Sequence, residues 1–180
     1  MKLSQFSVSR YRSILEAEKI AVSETTILIG RNNEGKSNIL KALNTALTHL
    51  KFTRLKRPDG SYLRMRMAPH SAGGYDWARD FPIPLQEKKT GDKRTRFRLD
   101  FTLSAEENEE FEGAVGLANN GTIPIEILIN SQNESTINIL KPGKGAASYT
   151  KRLPEVCSFV SQKLDFIMFL LSAQKATRRM

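Results

Sequence analysis

Apolar residues recur along this chain with two periods, and the switches between them outline its elements. Leu3, Phe6, Val8, Tyr11 and Ile14, then Ile20 and Val22, then Thr25-Thr26-Ile27-Leu28-Ile29 mark three strands in quick succession. The first two form a hairpin around residues 13–18, and the third reads as a buried strand. From Asn38 to Leu50 the period becomes helical, with Ile39, Leu40, Ala42, Leu43, Ala46, Leu47 and Leu50 on one stripe. Residues 68–95 carry Pro69, Gly73, Gly74, Pro82, Pro84 and Gly91 around Tyr75, Trp77 and Phe81, which predicts an irregular but anchored insertion.

Alternation returns at residues 96–103, a half-buried strand, and Ser104-Ala105-Glu106-Glu107 is a capping box that opens an acidic helix toward Val115. Residues 123–129 and 136–140 form a second hairpin across the polar turn 130–134. Lys141-Pro142-Gly143-Lys144-Gly145 lacks phosphate-loop spacing and reads as a linker. A helix over 154–163 leads into the apolar run 165–171, which has the length of a buried strand.

Composition narrows the class. At 180 residues, 39% hydrophobic and 26% charged, the chain can bury the core of one domain, or of one domain plus a small lobe. No apolar stretch reaches the ~18 residues of a membrane span, and the amino terminus lacks an apolar signal core, so a cytoplasmic protein is expected. Cys157 is the only cysteine, which excludes an intrachain disulfide and leaves a core thiol as its reading. A formal charge of +9 points to an anionic partner such as nucleic acid, with basic clusters at residues 51–66 and 88–98 as candidate contacts. A solvated basic face accounts for the same clusters equally well.

The strongest chemical signal is Gly30-Arg31-Asn32-Asn33-Glu34-Gly35-Lys36-Ser37, which fits the phosphate-loop pattern G-x-x-x-x-G-K-[ST]. It stands between a strand-like run and a helix, the order such a loop requires. Gly30 and Gly35 let the backbone wrap closely, so the amides of Asn32, Asn33 and Glu34 and the positive end of the helix surround a phosphate. Lys36 supplies a point charge to the β- and γ-phosphates, and the Ser37 hydroxyl can ligate Mg²⁺.

The block Met1-Lys2-Leu3, Ser9-Arg10-Tyr11-Arg12-Ser13-Ile14 and Ile27 through Leu43 resembles the start of the ABC-type ATPase heads of SMC-like proteins, in particular the RecF and OLD-family branch. The resemblance implies an α/β P-loop NTPase fold, an ABC-type head with a mixed sheet and an inserted β-rich lobe. It divides the chain into 1–50 (hairpin, loop and helix), 51–150 (inserted lobe) and 151–180 (helix, strand and candidate Q-loop). It implies ATP and Mg²⁺ as cofactors, Arg12 beside the phosphates, and Asn32 and Asn38 as part of the loop motif G-x-N-x-x-G-K-S-N.

In that family a glutamine after the inserted lobe reaches the metal and the attacking water. Gln174 is the candidate, with Gln86 as its rival. Neither an apolar strand closing on Asp-Glu nor a Leu-Ser-Gly-Gly-Gln signature occurs in the sequence, so the chain reads as an amino-terminal half-head. The implied partners are DNA, a second head joined across ATP in a homodimer or higher oligomer, and a nuclease domain or subunit. A stand-alone P-loop kinase or nucleotide-dependent transferase is the alternative, and a non-catalytic interaction module with a degenerate loop is the third reading.

Overall fold

The computed structural model describes residues 1–30, 35–52, 74–140, 152–153 and 155–164. In chain order its elements are β1 (Lys2–Tyr11), β2 (Ile14–Ala21), α1 (Lys36–Phe52), α2 (Trp77–Asp80), α3 (Ile83–Gln86), β3 (Thr95–Thr102), α4 (Ala105–Val115), β4 (Thr122–Ile129) and β5 (Ser135–Ile139). Residues 155–164 add a helix, α5. The strands form one sheet in the order β2-β1-β3-β4-β5, and all four described pairings are antiparallel.

One face of the sheet is apolar because the registers line up like residues. Phe6 stands opposite Leu99 and Val8 opposite Phe97, while Phe97, Leu99 and Phe101 face Ile127, Ile125 and Ile123. Cross-strand aromatic and β-branched pairs of this kind stabilise a sheet by packing on the pleat. Onto this face α1 lays Ala42, Ala46 and Leu50, and α5 adds Val156, Phe159, Val160 and Leu164. Phe159 meets Phe111 of α4 edge to face, with ring centroids 5.3 Å apart. Cys157, on the same helix, is also buried, and burial pushes its thiol up to about 12, which makes it a packing group at neutral pH.

The opposite face is polar, and several charges on and beside it are paired. Arg96 pairs with Glu126 at 3.2 Å, Arg98 with Asp100 at 3.0 Å, and Arg94 with Asp92 at 2.8 Å. Arg94, Arg96 and Arg98 of the basic cluster at 88–98 are thus paired with acids while still exposed, and Lys88 and Lys89 are exposed as well. The other cluster lies outside the described residues apart from its first two positions.

Most expected elements are present. The capping box is realised in full: Ser104 Oγ accepts from the Glu107 amide at 3.2 Å, and Glu107 Oε2 accepts from the Ser104 amide at 2.9 Å. The first hairpin is tighter than expected, turning at Arg12-Ser13 with Tyr11 directly opposite Ile14. The third strand is corrected. Residues 25–30 join no described ladder, and Ile27 and Ile29 are 75% and 90% exposed. Ser23 diverts the chain into a local turn: its amide donates to Thr26 Oγ1 at 3.0 Å and its hydroxyl to the Thr25 carbonyl at 2.8 Å. The run 165–171 and the linker 141–145 lie outside the described residues.

Near the end of α1, His49 is buried, and burial holds its pKa at about 4 against an ordinary 6.5. The unfolded chain takes up this proton first, so stability is full above pH 6.5 and falls as pH drops toward 4. Denaturant titrations across that range should show a loss of about 3 kcal/mol, and His49→Gln should remove it. An unchanged slope in that variant would show that His49 is not the titrating group.

Candidate functional site

The amino end of α1 begins at Gly35, whose carbonyl accepts the first intrahelical bond from Ile39 at 3.0 Å. The amides of residues 36–38 lie before that bond and point out of the helix end. No acidic side chain occupies the first turn, so the positive end of the helix macrodipole is left for an external anion. Lys36 Nζ reaches back to the Gly30 carbonyl at 2.5 Å, bringing the two ends of the loop to within one hydrogen bond. Ser37 is exposed in the same turn. Arg31, Asn32, Asn33 and Glu34 lie outside the described residues, as does Gln174.

The turn of the first hairpin packs against this helix end. Asn38 Nδ2 donates to Ser13 Oγ at 2.9 Å. Gly35 lies so close to the turn that a Cβ there would stand 3.5 Å from Ser13 Oγ. The structure thus brings Arg12 and Ser13, Gly35, Lys36 and Asn38 together from segments more than twenty residues apart in sequence. Apposition follows from the core, because β1 and α1 are clasped through Phe6, Val8, Ala42 and Ala46. Tyr11 points inward at the same level, 5.6 Å from the Phe97 ring, with its hydroxyl 3.4 Å from Thr45 on α1.

Arg12 adopts a left-handed backbone, φ 53°, as does Arg10 at φ 56°. Such conformations cost a non-glycine residue about 1 kcal/mol or more. At Arg10 the bend shifts the phase of β1, so Tyr11 enters the core and Arg10 reaches the Arg94 carbonyl at 2.8 Å and Asp92 at 3.0 Å. At Arg12 it makes the turn. Sequence reasoning missed what then holds Arg12: Asp80, at the end of α2. The Arg12 amide donates to the Asp80 carbonyl at 2.6 Å, and Arg12 Nε to Asp80 Oδ1 at 2.8 Å.

Asp80 is fully buried and also accepts from Arg79 Nε at 3.0 Å, Arg79 Nη2 at 2.7 Å and the Asp76 amide at 3.0 Å. Burial alone would raise its pKa. The hydrogen bonds from Arg79 and the Asp76 amide, with the charges of Arg12 and Arg79, outweigh that and hold the carboxyl below the usual range. The short helix α2 is itself fixed: Trp77 stacks on Phe81 with centroids 5.1 Å apart, and its amide donates to Asn133 Oδ1 at 2.7 Å. Gln86 is engaged nearby, its amide donating to the carbonyls of Ala78 at 3.1 Å and Phe81 at 2.9 Å.

An ammonium and a helix amino end, beside the turn that carries Arg12, suit a polyphosphate. For a metal the described residues offer only the Ser37 hydroxyl, since no group of three His, Cys, Asp or Glu side chains among them could hold an ion. Among the described residues, no helix is long and apolar enough to cross a membrane.

Comparison with known proteins bears on the same segment. A family model described as an AAA ATPase domain, AAA_15, matches residues 1–167. No curated protein matches the chain. Among solved structures, one from work on ATP-driven dimerization and DNA-stimulated activation of SMC ATPases aligns at TM-score 0.48 and 12% identity, over 88% of this chain and 79% of that one. An SMC head bound to the C-winged helix domain of ScpA aligns at TM-score 0.46 and 12% identity, over 88% of this chain and 40% of that one.

Gly35 supplies a test of the local geometry. Its φ of 88° is unfavourable to any side chain, while the space beside it is ordinary contact distance. Gly35→Ala should lower stability by about 1–2 kcal/mol through backbone strain, read from urea unfolding. An unchanged midpoint would contradict the left-handed conformation at this position.

Proposed function

The chain belongs to the AAA_15 family of AAA ATPase domains, whose model covers residues 1–167, and from that premise we propose that it is the ATP-binding lobe of an OLD- or RecF-like ATPase acting on DNA. The observation that carries the binding assignment is the meeting of Lys36, the amino end of α1 and the Arg12-Ser13 turn on one rim. In this reading the loop residues Gly30, Asn32, Asn33, Glu34 and Gly35 wrap the phosphates with their backbone. Lys36 neutralises the β- and γ-oxygens, Arg12 adds a second cation, and Asn38 fixes the turn that carries it.

Mg²⁺, when bound, would offset the negative charge of the phosphates, and Ser37 would give it one protein ligand. Gln174 is assigned the second. The sequence has no apolar strand closing on Asp-Glu, so this chain is assigned binding, with the acid that polarises water coming from elsewhere in the assembly. ATP would join two such heads, and a nuclease domain or subunit would act on the DNA. The DNA assignment rests on the +9 charge, with Lys88 and Lys89 among the exposed cations of the 88–98 cluster that could meet a phosphate backbone.

Titration of Mg²⁺-ATP into the wild type and Lys36→Ala tests the assignment. Loss of the ammonium should weaken binding by about tenfold or more, as expected for a charge-assisted contact to phosphate. Equal affinities would sink it.

A further inference from the structure

We infer that Asp80 is a positioning residue for the phosphate site: its buried carboxylate grips Arg12 by Nε and turns the two terminal nitrogens of that guanidinium toward the bound polyphosphate. The inference rests on the ATP-binding reading and assigns a role to a residue outside the phosphate-loop motif, 68 positions from Arg12 in sequence.

Three observations carry it. First, Asp80 is fully buried, and the contacts described above occupy both of its oxygens. Arg12 contributes only Nε to that set, and among the described residues nothing accepts from either of its terminal nitrogens. The guanidinium also lies over the Tyr11 ring, 5.6 Å from its centroid, so its plane is held from two sides while its terminal nitrogens keep their hydrogen-bonding capacity. Second, the grip is doubled at the backbone by the bond from the Arg12 amide to the Asp80 carbonyl, 2.6 Å. The turn cannot swing away without breaking both contacts.

Third, the chain keeps an arginine where the backbone is left-handed, φ 53°, although glycine or asparagine would adopt that conformation at less cost. At Arg12 that strain is held in place by the two contacts to Asp80, the setting in which backbone strain points to a functional constraint. The neighbouring Ser13, bonded to Asn38 at 2.9 Å, sets the Arg12-Ser13 turn beside the turn of helix that carries Lys36. Arg79 does not substitute, because its Nε and Nη2 are committed to Asp80 and Nη2 also donates to the Gly74 carbonyl at 3.2 Å.

A merely structural ion pair predicts a different pattern of binding losses. Mg²⁺-ATP affinity would be measured for wild type, Asp80→Asn, Arg12→Ala, the double variant and Lys36→Ala, with circular dichroism confirming that each is folded. Asp80→Asn should weaken binding about tenfold in the wild-type background and less than twofold once Arg12 is alanine, because its effect passes through Arg12. Unchanged affinity, or an equal loss in both backgrounds, would overturn the inference.

Should Asp80→Asn not fold, Arg12→Lys decides the matter with the buried carboxylate intact. A single ammonium cannot hold Asp80 and a phosphate at once, so its loss should approach that of Arg12→Ala, and full retention of affinity would contradict the proposed role of the guanidinium. A Lys36→Ala protein that binds like wild type would refute the nucleotide site itself. A weakened Lys36→Ala beside an unaffected Asp80→Asn would refute the role of Asp80 alone.

Discussion

The docking of α1 on the apolar face of the sheet is the interaction on which the rest depends. Ala42 and Ala46 carry no bulk beyond Cβ, so the helix approaches β1 and β3 closely, and Leu50 closes the far end of the stripe. That approach fixes where the amino end of α1 points. It also places Thr45 and Asn38 opposite Tyr11 and Ser13, so one packing decision sets both the direction of the helix end and its distance from the hairpin turn. A bulkier residue at position 42 or 46 would lift the helix and part the two halves of the rim, with an overpacking cost of about 1–3 kcal/mol.

The second constraint is electrostatic and belongs to the insertion. Residues 76–81 look unpromising as structure, yet they bury a carboxylate beneath the hairpin turn and satisfy it with two guanidinia and a backbone amide. Removing one partner of such a cluster leaves charge uncompensated in a buried place, which is far more costly than breaking a surface pair. The insertion is thereby tied to the phosphate rim, and its position follows that of Arg12.

Much of this was legible in the sequence for physical reasons. The Phe97-Leu99-Phe101 and Ile123-Ile125-Ile127 alternations declare a sheet face, the Ala42-Ala46-Leu50 stripe declares its covering helix, and Ser104 with Glu107 declares where α4 starts. The loop motif carried its own chemistry. What failed to show were features without periodicity. An ion pair spanning 68 residues leaves no local mark, so Asp80 was invisible inside an irregular stretch. Strand β2 is an edge with mostly exposed side chains, so its polar residues read as a turn and the hairpin was placed too late. Thr25 to Ile29 has strand composition, but composition reports side chains, whereas a strand needs a neighbour's backbone to pair with.

The central claim is that the Arg12-Ser13 turn and the start of α1 form one phosphate-binding rim. Hydrogen–deuterium exchange of the chain with and without Mg²⁺-ATP addresses it most directly, because it reads both segments at once. The account predicts slowed exchange at residues 12–14 together with residues 35–39. Protection confined to the start of α1, with the hairpin turn unchanged, would contradict it.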